Sequence, residues 1–433
     1  MSPEMLGFAG IALLFVLLAF GMNIGLALGL VGFLGYAQVV GLDASLAVLG
    51  LTPYSSGASY MLSVIPLFVL MGQFAFVSGI SREIYHAVHT WLGHRPGGLA
   101  MATIVGCAGF SSISGSSLAT AATMGTVALP EMKKFGYDPS LASGSVAAGG
   151  TLGILIPPSI GFVIYGIIIE ESIGKLFMAG IIPGIILSGL FIATVYLQCR
   201  LKPALGPAGT RYSLGERFRS LSGVWGMLIL CVVVIGGIYL GVFTPTEAAG
   251  VGAFGAFAIA LLKKQLTPRT VLDCLMATGK TTAMIFLIII GAELFSRFLA
   301  VTQLPMHLAD LLGGLPWPRH LILLGILLLY VALGCVMDCF AIMILTTPIL
   351  FPVVNALGFD PIWYGVIMVM VLEIGLITPP VGLNVFVISG VAGGVSMNTI
   401  FKGIWPFMAA ALVAIGLLII FPELATFIPS YMK

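Results

Sequence analysis

Apolar runs of about 17–25 residues, the length that crosses a hydrocarbon core as a helix, cover nearly the whole of this chain and are separated by short polar or glycine-rich breaks. Residues 5–21 and 23–41 form the first two runs, divided only by Gly21-Met22-Asn23, and 5–21 is expected to be kept as a first helix because no basic stretch precedes it. A more polar piece with Pro53, Ser55, Ser56 and Gly57 follows, then a third helix at about 60–79. Residues 81–95 alternate apolar and polar positions at helical spacing, which predicts an amphipathic helix lying in the membrane interface. No carboxylate cluster accompanies His86, His89 and His94, so with Arg82 and Arg95 they read as a solvated basic face. The run 98–130 is interrupted by Gly-Phe-Ser-Ser-Ile-Ser-Gly-Ser-Ser at 109–117, too polar to sit against lipid, and predicts a re-entrant hairpin with that stretch at its tip. Further runs at 140–170, 176–198, 224–242, 247–262, 281–299, 320–352, 362–390 and 404–422 complete the pattern. Barrel strands would instead alternate apolar and polar residues. The expected fold is an all-α polytopic membrane protein.

Two of these runs are broken at their centres by paired prolines, Pro157-Pro158 and Pro379-Pro380. A proline pair removes two backbone donors and strands the carbonyls before it, so each break must be buried in protein or line a wet cavity. The breaks belong to a repeat. Pro130, Gly136-Tyr137-Asp138-Pro139, Gly153 and Pro157-Pro158 recur as Pro352, Gly358-Phe359-Asp360-Pro361, Gly375 and Pro379-Pro380, all 222 residues later. The expected organisation is N-terminal scaffold helices at 1–59 and a first repeat at 60–200, with its hairpin at about 98–130 and broken helix at about 140–170. A cytoplasmic linker and connecting helices follow at 201–280, then a second repeat at 281–422, with its hairpin at about 320–352 and broken helix at about 362–390, and a tail at 423–433. An amphipathic-looking segment at 300–318 answers 80–97.

Charge adds orientation. Only 8% of residues are charged and 59% are hydrophobic, against roughly 25% charged in an average soluble domain. The net charge of +2 comes with no basic run that would suit nucleic acid. Arg200, Lys202, Arg211, Arg217 and Arg219 in the linker 199–223 face one acid, Glu216, and Lys263, Lys264, Arg269 and Lys280 make a second basic loop. Both should be cytoplasmic. Five full crossings separate the starts of the two copies, an odd number that inverts them, with the first hairpin opening to the cytoplasm, the second outward, and both chain ends outside. Thr244, Pro245 and Glu247 have the spacing of a capping box. The six cysteines lie mostly in apolar stretches without a CxxC pair and read as small hydrophobes.

Inverted copies, each with a hairpin and a broken helix, place paired ion sites about a substrate near mid-membrane. In the first copy the candidate ligands are Ser111, Ser112 and Ser114 at the tip with the carbonyls of Gly153, Ile156 and Pro158; in the second, Gly334, Val336, Met337 and Asp338 with Gly375 and Thr378. Neutral oxygens suit Na+, which they hold and also release; the same small residues also serve close helix packing. Ser112, Ser116, Ser159, Asp338, Pro380 and Asn384 lie where a substrate carboxylate would meet half-helix N-termini. Asp338 and Glu373 are acids inside apolar copies, which leaves open an ion-supporting role or a proton relay. The first copy shows no matching acid around Ser116 or Gly150–Leu155. No transition-metal cluster, nucleotide motif or nucleophile–base pair stands out, so ATP does not drive the cycle from this chain and it does not read as an enzyme.

The serine-rich tip, Gly-Thr-Leu-Gly-Ile-Leu-Ile-Pro-Pro-Ser, Thr-Pro-Thr-Glu-Ala-Ala and Ile-Thr-Pro-Pro-Val-Gly-Leu-Asn together resemble the large membrane subunit of tripartite ATP-independent periplasmic (TRAP) transporters over essentially the whole chain. The resemblance implies a bacterial inner-membrane importer, driven by a sodium gradient, for an organic acid handed over by a periplasmic substrate-binding protein. It implies a separate small membrane subunit and an elevator motion of the hairpins and broken helices. It carries sodium ligands onto Ser111, Ser114, Gly153, Ile156 and Pro158, and onto Gly334, Met337, Gly375 and Thr378, with Met337 offering only a backbone oxygen. A stand-alone sodium or proton symporter and a non-transporting scaffold or channel are the alternatives.

Overall fold

A computed structural model of the chain describes residues 2–432. Among the described residues every regular element is helical: twenty-two α-helices and two short 3-10 turns. Among the described residues, six helices, with the interrupted Pro139–Ile169 counted as one, are long and apolar enough to cross a membrane, or up to eight if each of two sharply bent pairs counts as one span.

Helices Ile24–Val40 and Pro268–Thr302 form the tightest contact of the scaffold, and glycine makes it possible. A Cβ at Gly25 would lie 2.6 Å from the Leu287 carbonyl oxygen, and one at Gly32 would lie 2.5 Å from the Phe295 nitrogen. Small residues at such crossings let backbones approach without side chains between them. The second of these helices corrects the sequence reading. A basic loop was expected up to about 280, but the helix begins at Pro268, capped by Thr267, and runs 35 residues. At 1.5 Å per residue it is about 52 Å long, well beyond a hydrocarbon core, so Arg269 and Lys280 ride on one continuous helix.

The polar piece around Pro53 is likewise helical, Leu42–Gly57. Its hydroxyls bond back to their own turn: Thr52 donates to the Val48 carbonyl at 2.8 Å, and Ser56 to the Thr52 carbonyl at 2.9 Å. Ser56 also reaches Glu293 at 2.9 Å. Internal satisfaction of this kind lets a polar run stay helical.

The amphipathic helix forms at Ile80–Leu92, but its histidines do not share one solvated face. His89 is only 7% exposed and sits edge-on to Phe135 and Tyr212, at 5.9 and 5.8 Å between ring centres. Burial holds its imidazole below the usual range. His86 is exposed, as expected.

Both hairpins are present. Gly98–Ser114 and Ser117–Lys134 are joined through Gly115, at φ 61°, and capped by Ser116. Arg319–Gly334 and Cys339–Ala356 are joined through a turn capped by Asp338, whose Oδ1 accepts from Phe340 N at 2.9 Å. The second arms start and end 222 residues apart, as do the broken helices that follow, capped by Asp138 and Asp360. The first broken helix runs Pro139–Gly150, Leu152–Leu155, then Ile160–Ile169; the second runs Pro361–Gly375, then Leu383–Val391. Both Pro-Pro bonds are cis. The last long helix is Met397–Ile420, and a further helix, Glu423–Ser430, stands where a tail was expected.

Helix Pro245–Leu262 carries the expected capping box, with the Glu247 carboxylate accepting from Thr244 N at 2.8 Å and Thr244 Oγ1 accepting from Glu247 N at 3.3 Å. Thr244→Ala is expected to cost about 1 kcal/mol of stability, measurable by chemical unfolding in detergent; Thr244→Ser should leave it near the parent value.

Candidate functional site

The first site is built where hairpin tip meets helix break. Ser111 is fully buried and donates its hydroxyl proton to the Cys107 carbonyl at 2.6 Å, which leaves its oxygen lone pairs free to face a cation. Ser114 shares a 2.7 Å hydrogen bond with Thr120 across the turn. The break closes on this tip through backbone: Ile160 N donates to the Gly115 carbonyl at 3.3 Å, and a Cβ on Gly115 would lie 3.0 Å from the Pro158 carbonyl oxygen. Gly153 lies so close that a Cβ there would be 2.5 Å from the Ser116 carbonyl oxygen. Ile156 is extended, with its side chain against Gly184. Ser114, Gly153 and Pro158 therefore converge on one tip, and main-chain oxygens dominate what they present.

The second copy is assembled differently. Gly375 approaches Gly334 on the first hairpin arm, where a Cβ would lie 2.6 Å from the Gly334 Cα. Thr378 donates to the Ile374 carbonyl at 2.6 Å, the same back-bonding that Ser111 shows. Val336 at the tip is 62% exposed, and Met337 is half-buried with its amide bonded to the Leu333 carbonyl at 2.9 Å.

The residues expected near substrate separate. Ser116 and Ser114 line a cavity of about 260 Å³ together with Ile160, Gln73, Thr281 and Phe340, so both hairpins and helices Val64–Val77 and Pro268–Thr302 contribute to it. Ser112 is turned away: its hydroxyl donates to the Gly109 carbonyl at 2.6 Å and lies 2.9 Å from Cys231 on helix Trp225–Tyr239. Ser159 is buried and spends its hydroxyl as the cap of Ile160–Ile169. Pro380 is exposed within the second break. Asn384 is fully buried, with neither side-chain amide atom hydrogen-bonded.

A larger cavity, about 400 Å³, lies between helices Leu42–Gly57 and Pro268–Thr302, the second half of the first broken helix and the second hairpin, and is lined by Ser55, Ser56, Glu170, Glu293 and Ser296. Its two carboxylates make it a poor seat for an anion, and neither break reaches it.

Glu373 is only 3% exposed, and neither carboxylate oxygen has a hydrogen-bond partner. Ser117 of the first hairpin and Asp338 of the second are its polar neighbours. The residues 222 positions earlier are Thr151, for Glu373, and Ser116, for Asp338, so at these two positions only the second copy carries an acid. Gln73 and Thr281 were not singled out from sequence; Gln73 is a polar residue in an otherwise apolar stretch, which is the signal that marks it, whereas Thr281 sits beside Lys280 and Thr282 and carries no such signal.

An all-helical multi-pass membrane protein with two interrupted helices and a small cavity lined from both hairpin segments and the first interrupted helix belongs to the class of membrane transporters. The family model described as the DctM component of the tripartite ATP-independent periplasmic transporter matches residues 11–424. This chain belongs to that family, and so is a multi-pass protein of the bacterial inner membrane and not an enzyme. It is 38% identical to the C4-dicarboxylate TRAP transporter large permease DctM of Pseudomonas aeruginosa, over 91% of this chain and 94% of that one. It is 35% identical to the isethionate TRAP transporter permease DctMQ of Oleidesulfovibrio alaskensis, over 86% of this chain and 59% of that longer one. The crystal structure of the YdaH transporter of Alcanivorax borkumensis shares the fold, with a TM-score of 0.57 at 15% identity over 89% of this chain and 90% of that one.

Proposed function

We propose that this chain is the translocating subunit of a sodium-driven importer of a small organic acid, delivered by a periplasmic substrate-binding protein and moved by an elevator motion. The observation that carries the proposal is the convergence of the tip at Ser111–Ser116 on Gly153 and Pro158, which presents carbonyl and hydroxyl oxygens with little charge. Such a shell binds a hard monovalent cation and lets it leave. Sodium site 1 is Ser111, Ser114, Gly153, Ile156 and Pro158; site 2 is Gly334, Met337, Gly375 and Thr378, with the buried Glu373 carboxylate as nearby counter-charge. The substrate occupies the cavity at Ser114 and Ser116, held in part by the N-terminus of Ile160–Ile169. The repeats 60–200 and 281–422 are inverted, and their hairpins and broken helices move against a scaffold that includes 1–59 and 201–280.

The relatives support this substrate class. One is named for C4-dicarboxylates and another for isethionate; both are small organic anions. The longer DctMQ chain supports a small membrane subunit as partner of this one.

Sodium binding can be tested apart from transport. A ligand at 100 times its Kd stabilises a protein by about 2.7 kcal/mol per site, so sodium should raise the unfolding temperature of the purified chain while potassium at equal ionic strength should not. Equal effects of the two salts would remove sodium from the mechanism.

A further inference from the structure

The linker between Ile173–Leu201 and Trp225–Tyr239 contains a helix, Leu214–Leu221, which meets the spanning helix at a 48° bend. Leu214, Phe218, Leu221 and Trp225 are exposed, spaced as one helical stripe. The exposed surface continues down the spanning helix through Leu228, Ile229 and Val232. A lipid-facing surface therefore runs from the membrane span onto the linker, and that continuity selects lipid as its occupant.

Beside this stripe, the linker and Ile80–Leu92 enclose a cleft of about 610 Å³ lined by Arg82, His86, Tyr212, Arg219, Ser220 and Ser222. Two carboxylates, Glu83 and Glu216, also line it, and both are already engaged. Glu83 is ion-paired with Lys263, and Glu216 accepts from Ser213 N and Oγ, both at 2.8 Å, bonds that hold its carboxyl below the usual carboxylate range. Among the described residues, Arg82, Arg211, Arg217 and Arg219 pair with no carboxylate. The cleft's two walls are held together: Trp91 Nε1 donates to the Arg217 carbonyl at 3.0 Å, and the Arg217 guanidinium lies 6.0 Å from the Trp91 ring centre. The imidazole of His94 is held below its usual range by desolvation and then by Arg217, Arg211 and Arg95, as expected in a positive field.

We propose that this cleft binds the phosphate of an anionic phospholipid of the cytoplasmic leaflet, with Arg82 and Arg219 at the headgroup and the acyl chains along Leu214, Phe218 and Leu221. The bound lipid ties the linker to Ile80–Leu92, the segment that joins helix Val64–Val77 to the first hairpin. Anionic lipid thereby stiffens a junction across which the transporting unit would move.

The test is native mass spectrometry of the purified full chain titrated with phosphatidylglycerol, phosphatidylcholine or glycerol 3-phosphate, which reads lipid binding independently of transport. Phosphatidylglycerol should bind at least tenfold more tightly than phosphatidylcholine. Each basic residue near an anionic surface is worth about fivefold, so the double variant Arg82→Gln/Arg219→Gln should weaken phosphatidylglycerol by about twentyfold with helical content unchanged by circular dichroism. Phe218→Ser should weaken it as well. Equal binding of the two lipids, or a double variant that binds like the parent, overturns the proposal. Glycerol 3-phosphate binding as tightly as phosphatidylglycerol would assign the cleft to a soluble anion and overturn the lipid.

Discussion

Gly153→Ala is expected to reduce sodium-dependent uptake at least tenfold. The added Cβ would lie 2.5 Å from the Ser116 carbonyl oxygen and 2.6 Å from the Ser117 Cα, and since the obstructing atoms include backbone, no rotamer change relieves the clash. The hairpin tip must move away from the break, and the oxygens of Ser114 and Pro158 lose their common focus. Overpacking of this kind costs about 1–3 kcal/mol, so the variant should also unfold more readily in detergent. Gly189→Ala is the control: nothing lies within 4 Å of a Cβ there, and a helical Gly→Ala change is neutral or gains up to about 1 kcal/mol. Parent-like uptake by Gly153→Ala would show that the tip–break contact is packing alone.

The second large effect is expected at Glu373, with opposite signs in two measurements. Its carboxylate is buried with no hydrogen-bond partner, an arrangement that is costly in a membrane interior unless a cation compensates it. Without sodium, Glu373→Gln should therefore be at least as stable as the parent, since it removes an uncompensated group. With sodium, the parent should gain stability and the variant should gain markedly less, with an apparent sodium affinity at least tenfold weaker. Asp338 separates charge from capping. Asp338→Asn keeps a good N-cap for Phe340 N, whereas Asp338→Ala should cost about 0.5–2 kcal/mol. A sodium response of Glu373→Gln equal to that of the parent would place Glu373 outside the ion site.

What could be read from sequence follows the strength of the local chemistry. Proline pairs in apolar runs announce broken helices because a missing donor has no local substitute, and both breaks are where Pro157-Pro158 and Pro379-Pro380 put them. The serine-rich tip announced a hairpin because lipid cannot satisfy it, and Thr244 announced its helix start because a cap is a local bond. The misses depend on partners distant in sequence or on bonds that hide polarity. The polar piece with Ser56 looked like an interruption between apolar runs, but the Ser56 hydroxyl is satisfied within its own helix. His89 looked solvated because its aromatic surroundings, Phe135 and Tyr212, come from elsewhere in the chain. Ser112 looked like a tip ligand because sequence gives the turn but not its rotation, which the contact with Cys231 reveals. The repeat also concealed an asymmetry: Gly153 and Gly375 occupy matching positions yet meet different parts of their hairpins.

The most direct test of the central claim is uptake of labelled organic acids into proteoliposomes holding this chain and its small subunit, with and without the binding protein, under imposed sodium or proton gradients. The account predicts uptake only when an inward sodium gradient and the binding protein are both present. Uptake that follows a proton gradient alone, or that proceeds equally well without the binding protein, would contradict it.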